Sequence, residues 1–390
     1  MLDRYAAFLR PRGVLRFLAI SFLARLPIGT LGLSTLLHIR ELTGSIAFAG
    51  SVVGAQLVSS AAMAPVLGRW IDVRGPARVL QLTAIVPALS ILAIHFAGPL
   101  ALSHAAIFAA AVLTGAFLPP ITTIVRTIWR HRFDDERARQ TAFAVDSVLI
   151  ELSFTLGPAL VAFLIAVASA RTAYGFAWLF TVASVPLLHL SGGLRWWKPA
   201  PPGERHLLGP LLQRELLVIY AATFFLTLAF GALEVAYPGY GLQWSLPAWG
   251  PALIAINSVG SAIGGLAYGG IHVRMPVERQ LPRLMAIFAV PIALHLVAGG
   301  PWTIAPLAFL SGLLIAPSMT GMTVIVSRHA PPAYVTEAFT WSATAIVTGI
   351  GAGMAAGGAL VERFGAQAAI VLCCASGLAA AALSLALRKR

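Results

Sequence analysis

Two carboxylates sit inside an otherwise apolar stretch, Asp146-Ser147-Val148-Leu149-Ile150-Glu151-Leu152-Ser153-Phe154-Thr155-Leu156-Gly157-Pro158. Acidic side chains in such a setting have two uses. They neutralise a fixed opposite charge, or they take up and release a proton. On a helix, five residues turn the two groups about 140° apart. They look in different directions and do not form one acid–base pair. One would brace a neighbouring element while the other lines an opening. Arg25 lies in another apolar run at a comparable depth. Arginine keeps its charge, so it would hold one carboxylate ionised and leave the other free to exchange protons. Glu234 is a further carboxylate, late in its own apolar run, and could be a second protonation site. Gln56 and Asn257 are amides in the middle of theirs, and could bind substrate or bridge helices. For every one of these residues the competing reading is structural: a buried charge or amide that only fixes helix packing.

The elements that carry these side chains must lie in lipid. The 390-residue chain is 58% hydrophobic and 11% charged, with a mean hydropathy of +0.85. Soluble domains carry about 25% charged residues. A bilayer core of about 30 Å needs about 20 apolar residues per helical span. Such runs lie near 14–37, 46–67, 78–97, 102–124, 138–168 and 171–190, and then near 216–237, 249–270, 284–298, 303–326, 335–360 and 367–387. The first run lacks an obvious small-residue cleavage site and reads as an uncleaved span. No stretch suggests a separate soluble domain. The placement of charge agrees. The net charge is +13, but all Lys and Arg except Arg25, Arg40, Arg171 and Arg363 fall at the termini or in alternate loops. That distribution predicts both termini in the cytoplasm and an even number of spans. The basic balance is topological, and no nucleic-acid partner is implied.

Two enzyme-like readings find no support. Cys373 and Cys374 are adjacent and read as small packing residues, with no metal-ligand spacing. No nucleophile–base motif or phosphate loop appears, so an enzyme is disfavoured and no metal or cofactor is implied. His95, His104 and His295 lie near span ends, where interfacial structural roles are expected. Glu337 opens the eleventh span, where its charge suits the helix dipole.

The chain also repeats itself. A shift of 196 residues lays Ala142-Phe143 on Ala338-Phe339 and Gly157 on Gly353; a shift of 201 lays Gly68 on Gly269 and Arg78 on Arg279. The Pro/Gly-rich basic segment 191–213 separates the copies. The expected organisation is a six-helix bundle over 1–190, a cytoplasmic linker over 191–213 and a second bundle over 214–390.

One polar island between the second and third runs carries a resemblance. Gly68-Arg69-Trp70-Ile71-Asp72-Val73-Arg74-Gly75-Pro76-Ala77-Arg78-Val79-Leu80 resembles the signature loop G-x-L-a-D-r-x-G-r-k-x-x-l of the major facilitator superfamily, matching at Gly68, Asp72, Gly75 and Leu80. The copy in the second half, from Gly265, has lost the aspartate. Gly157-Pro158 resembles part of the span-five signature g-x-x-x-G-P-x-x-G-G of proton-linked exporters. Span eleven keeps the glycine spacing, Gly349, Gly353, Gly357 and Gly358, with Met354 in the proline's place. Small residues let helices approach closely, and Gly/Pro pairs permit bending. The span-four arginine of the exporters is absent, with Ala111 in its place. Arg126, at the inner end of that span, is no obvious substitute. Drug exporters also commonly place an acid in span one, where this chain has Arg25.

The resemblance implies an all-α integral membrane fold of twelve transmembrane helices in two pseudo-symmetric six-helix bundles. It also implies that spans one and five are neighbours, so Arg25 is expected to pair with Asp146 or Glu151. The signature loop implies a cytoplasmic gate, with Asp72 against the start of span eleven and positive charge from Arg74 or Arg78. The expected function is secondary transport of a small organic molecule by alternating access, read as proton-coupled export. Uptake or exchange of an organic anion recognised by Arg25 is the alternative, and a non-transporting membrane sensor ranks below both. The expected partners are the small-molecule substrate, protons and the lipid bilayer. The expected setting is a monomer in a bacterial cytoplasmic membrane.

Overall fold

A computed structural model describes residues 2–199, 209–246, 249–271, 273 and 275–388. Of the basic residues read as topological signals, Arg205, Arg274, Lys389 and Arg390 lie outside the described residues, as does the side chain of Arg4.

The chain is all-helical among the described residues. After a short α1 (Leu2–Leu9), the first half comprises α2 (Val14–Leu23), α3 (Leu26–Thr43), α4 (Ile46–Arg74), α5 (Pro76–His95), α6 (His104–Ala116), α7 (Ile121–Arg132), α8 (Glu136–Val167) and α9 (Ala170–Leu190). The second half comprises α10 (Arg214–Gln243), α11 (Trp249–Gly270), α12 (Val277–Leu294), α13 (Pro301–His329), α14 (Val335–Phe364) and α15 (Ala366–Leu385). Because α2–α3 and α6–α7 each make one crossing, the helices form twelve spans, in two six-helix bundles. Eleven spans are apolar and long enough to cross a bilayer among the described residues. The twelfth, α12, carries Glu278, Arg279 and Arg283 in its first two turns. Its apolar run therefore starts late, at 284, and carries on past the helix end to 298. Outward-facing side chains such as Val58, Phe163 and Val297 are more than half exposed, as a lipid-facing surface requires.

Local chemistry sets the span ends. Ser45, Ser103, Asp135 and Ser169 cap α4, α6, α8 and α9 by accepting backbone N–H bonds, at 2.9–3.2 Å. Two spans are interrupted for a shared reason. Pro27 has no N–H to offer Leu23, and α2 stops at a junction where Arg25 caps α3. Pro119 and Pro120 likewise separate α6 from α7. Both spans are continuous in hydropathy, which counts side chains and ignores backbone donors.

The repeat is visible as matched close approaches. In the first half, α3 crosses α8 where a Cβ on Gly157 would fall 2.4 Å from the backbone of Gly29. In the second, α10 crosses α14 where a Cβ on Gly353 would fall 2.1 Å from Leu228 O. Gly115 of α6 meets the carbonyl of Gln56 on α4, and Gly312 of α13 meets the carbonyl of Asn257 on α11. Phe143 and Phe339, repeat mates in the sequence, touch edge to face with centroids 6.1 Å apart. The local two-fold relation between halves passes close to that contact.

The arginine-bearing helix ends that flank the α4–α5, α7–α8 and α13–α14 turns, together with α1 and the segment before α10, lie on one side, here the basic face. The joins between halves are concentrated toward it, through α4 with α14 and α8 with α11 and α13. From Thr348 outward, α14 presents exposed positions, and its buried glycines face only α10. The two halves are closed together at the basic face and parted toward the opposite one.

Candidate functional site

Two clusters of polar side chains interrupt the apolar interior, one sealed and one open. The sealed one centres on Asp146 of α8, which is 0% exposed. Arg25, at the α2–α3 junction, donates from Nη2 to Oδ1, and Arg126 of α7 donates from Nε to Oδ2 at 3.0 Å. Both arginines are buried as well. Of the two partners the sequence left open for Arg25, the geometry selects Asp146. The span-one break places Arg25 there, and the restart of helix after Pro120 carries Arg126 inward. The α7 segment Thr123–Trp129 is buried throughout. Arg126 is thus a member of the cluster that sequence reasoning set aside, because the apolar run ends at Ile124. A signal was present: Arg126 and Arg130 are one helical turn apart, just after a Pro-Pro break. Two cations share one anion, so the cluster carries an excess positive charge. Arg25 Nε and Nη1 have no hydrogen-bond partner among the described residues.

Glu151 lies elsewhere. One and a half turns along α8, it faces Ser258 and Ser261 of α11, within electrostatic reach of Glu234 on α10. Glu151 is half-buried and Glu234 exposed. The structure thus separates the two span-five carboxylates as their helical angle requires, one on arginines and one toward the parted side.

The two amides differ in how far they are committed. Asn257 commits both amide hydrogens, to Ala308 O at 2.9 Å and Ser311 Oγ at 3.1 Å, and so bridges α11 to α13. Gln56 is 6% exposed, beneath Gly115. Its repeat-equivalent partner, Thr114, bonds Ser90 at 2.7 Å instead, and Gln56 Nε2 has no partner among the described residues. Arg25, the third substrate candidate, is sealed at 0% exposure.

The basic-face closure is built on the signature segment. Most of that segment is helix rather than loop: α4 runs to Arg74 and turns at Gly75, whose φ of 80° suits glycine. Gly68 and Asp72 are four residues apart and face α14 together. Asp72 accepts from the backbone N–H of Thr336 at 3.0 Å and of Glu337 at 2.8 Å, at the helix start where unpaired donors and the dipole favour an anion. A Cβ on Gly68 would lie 2.4 Å from Thr340 Oγ1. Glu337 lies in the first turn of α14, as its place at the start of span eleven implies, and is buried with its carboxylate against Gly209. Arg130 of α7 places positive charge within electrostatic reach of Asp72, and also donates to Ala330 O at 2.9 Å. Arg74 and Arg78, expected in that role, are exposed, and Arg74 lies over the Trp70 ring.

Further joins complete the closure. Thr141 donates to Gly269 O at 3.1 Å, Thr127 meets Thr336 at 3.4 Å, and Thr320 meets Ser147 at 3.3 Å. Thr344 donates to Ala61 O at 2.8 Å, and Arg328 spans Glu136 and Glu278. Ser147 adjoins Asp146, so the sealed cluster sits directly behind the seam. The histidines divide: His295 is fully buried, bonded through Nδ1 to Pro291 O at 2.7 Å rather than interfacial, while His95 stacks with His38 and Tyr174.

Solved structures share this architecture. A bacterial homologue of the iron transporter ferroportin, in an outward-facing state, superposes with a TM-score of 0.80 at 14% identity, covering 97% of this chain and 100% of that one. The human organic anion transporter MFSD10 gives 0.76 at 19% identity, covering 96% of this chain and 100% of that one. The Major Facilitator Superfamily transporter FucP, in the outward conformation, gives 0.72 at 12%, covering 98% and 100%. These likenesses establish the fold. No curated protein matches the sequence. The sequence profile of the Major Facilitator Superfamily does match, over residues 17–298, and with the twelve-span fold and the Gly68–Asp72 closure in place, the chain belongs to that superfamily.

Proposed function

We propose that this secondary transporter exports a small organic molecule in exchange for protons. The observation that carries the reading is the division of labour between the two α8 carboxylates. Asp146 is neutralised by two arginines that do not give up their protons. Glu151 has no arginine or lysine partner among the described residues and stands toward the parted side with Ser258, Ser261 and Glu234. A carboxylate in that position is available to bind a proton from the open side and deliver it after the halves rock. Positive-inside bias supports a cytoplasmic basic face, so the open side would be the outside of a bacterial cytoplasmic membrane. In this reading 1–190 and 214–390 move as two bodies about the 191–213 linker, within a monomer. The exchange of an organic anion held by Arg25 draws less support, because Arg25 is enclosed and committed to Asp146.

Reconstitution into liposomes with a luminal pH-sensitive dye and a substrate panel tests the reading. Substrate entry should drive protons out of an acidic lumen, and Glu151→Gln should uncouple the two. Substrate flux indifferent to the pH gradient, or full coupling in Glu151→Gln, would overturn it.

A further inference from the structure

Three arginines meet at the root of the linker, where α2, α7 and α9 come together on the basic face. A short 3-10 turn, Gly193–Trp196, sets Trp196 edge-on to Phe17 of α2, with ring centroids 5.6 Å apart. Arg132, from the last turn of α7, holds its guanidinium carbon 5.1 Å from the Trp196 ring centre, and Arg195 holds its own at 5.6 Å. Arg195 also packs on the ends of α2 and α9: a Cβ on Gly13 would lie 3.0 Å from its Nη2, and one on Gly192 would lie 3.4 Å from the same atom. Arg16 joins from one turn further along α2, donating from Nη2 to Leu190 O at 2.7 Å. The strap continues along the first half. Lys198 N donates to His131 Nδ1 at 3.1 Å, and a Cβ on Gly75 would lie 3.7 Å from Trp197.

Each of these arginines is held in place, and none is neutralised. The ion pairs among the described residues engage Arg25, Arg126 and Arg328 instead. Contact with an aromatic ring is an attraction to its face and consumes no N–H donor. Arg132 Nε is buried with no hydrogen-bond partner among the described residues. Of the acids that follow α7, Asp135 is spent on capping α8, and Asp134 is exposed. The rim beside the arginines is apolar. Leu15, which precedes Arg16, is 65% exposed, and Leu190, whose carbonyl holds Arg16, is 59% exposed.

We propose that the linker root seats an anionic phospholipid, its phosphate on Arg16, Arg132 and Arg195 and its acyl chains along Leu15 and Leu190. The planar fork of arginine matches phosphate oxygens, and fixing it on a ring lowers the entropy lost on binding. Tryptophan at a span end marks headgroup depth. The cytoplasmic leaflet supplies the anionic lipids that attract basic groups at that depth. A soluble phosphate would use the arginines and none of the apolar rim. A zwitterionic lipid would bring a further cation to a site that already holds three. Because the seat joins α2, α7, α9 and the start of the linker, an occupied seat ties three span ends to the hinge between halves.

Native mass spectrometry of the full-length protein tests this, with dioleoyl phosphatidylglycerol and dioleoyl phosphatidylcholine offered in equal amounts. Phosphatidylglycerol should be retained in preference. Arg132→Gln and Arg195→Gln should each weaken it by about fivefold. Arg16→Gln, Arg132→Gln and Arg195→Gln together should abolish the preference. Removing the same charge elsewhere on the basic face, by Arg78→Gln, Arg137→Gln and Arg279→Gln together, should leave it intact. Thermal unfolding in detergent gives a second readout and checks that each variant is folded. Phosphatidylglycerol should raise the melting temperature of the wild type and of the second triple variant but not of the first, and inorganic phosphate should not reproduce the rise. If the first triple variant does not fold, the two single variants decide. Absence of any preference in the wild type, wild-type retention in both single variants, equal loss in the two triple variants, or full stabilisation by inorganic phosphate alone would overturn the proposal.

Discussion

Asp146→Asn should cost the fold more than removal of either arginine beside it. The reason is the charge count of a cluster with exposures of 0% for Arg25, 0% for Asp146 and 3% for Arg126. Removing one partner of a buried pair costs about 3–5 kcal/mol, because the other charge is left uncompensated. Asp146→Asn strands two cations at once, which places it at the upper end of that range. Arg25→Gln leaves the 3.0 Å Arg126–Asp146 pair intact and electrically balanced. Its loss should be nearer the roughly 1–3 kcal/mol of an unmade buried hydrogen bond to a charged group. The signs then make a sharper prediction. Adding Arg25→Gln to Asp146→Asn removes one stranded cation, so the double variant should be more stable than Asp146→Asn alone. The rescue should be about 1–3 kcal/mol, the usual coupling between contacting groups. The assay is reversible unfolding in mixed micelles with increasing SDS, followed by tryptophan fluorescence. A cost below about 1 kcal/mol for Asp146→Asn, or simple addition of the two single losses, would refute the three-charge account.

Three other substitutions have defined outcomes. Gly157→Ala puts a Cβ within 2.4–2.7 Å of the Gly29 backbone, which no rotamer change relieves, so it should lower unfolding stability by about 1–3 kcal/mol. Asp72→Asn keeps one acceptor for the α14 N-terminus but loses the charge. At about 1 kcal/mol it should shift the gate roughly fivefold toward opening at the basic face, read from spin-label distances across that face. Gly68→Ala drives a Cβ into Thr340 and should open the same contact, and adding Thr340→Ser, which removes the Cγ2 lying 2.7 Å from that Cβ, should restore part of it.

Much of the architecture was legible in the sequence because lipid imposes a simple rule: backbone groups must be satisfied within each span, and charges are expelled. Apolar runs, alternate arginine loops and a repeat offset follow from that. The offset is physical, as the Phe143–Phe339 contact and the matched Gly115 and Gly312 crossings show. The site was legible in part. The five-residue spacing of Asp146 and Glu151 is enough to separate their settings, since helix geometry alone determines the angle between them. Arg126 was missed because hydropathy assigns a charge at a run's edge to solvent, whereas the Pro119–Pro120 break lets α7 carry it inward. The same rule misplaced Arg279 and Arg283, which ride on the first turns of α12. That Arg130 comes within electrostatic reach of Asp72 while Arg74 and Arg78 stay exposed depends on how the helices cross, a tertiary fact with no local signature. The placing of Glu151 toward α11 likewise depends on how closely α8 meets α11.

Protonation of the open-side carboxylates should let the halves exchange which face is closed. Spin-label distances across both faces measure this directly. Repeat-related, exposed Arg78 and Arg279 can be replaced by labelled cysteines at the basic face, and exposed His104 and Thr303 at the opposite face, with Cys373 and Cys374 replaced. On acidification the opposite-face distance should shorten as the basic-face distance lengthens, and the response should vanish in a Glu151→Gln, Glu234→Gln protein. Distances that stay constant with pH, or the same pH response without the two carboxylates, would contradict it.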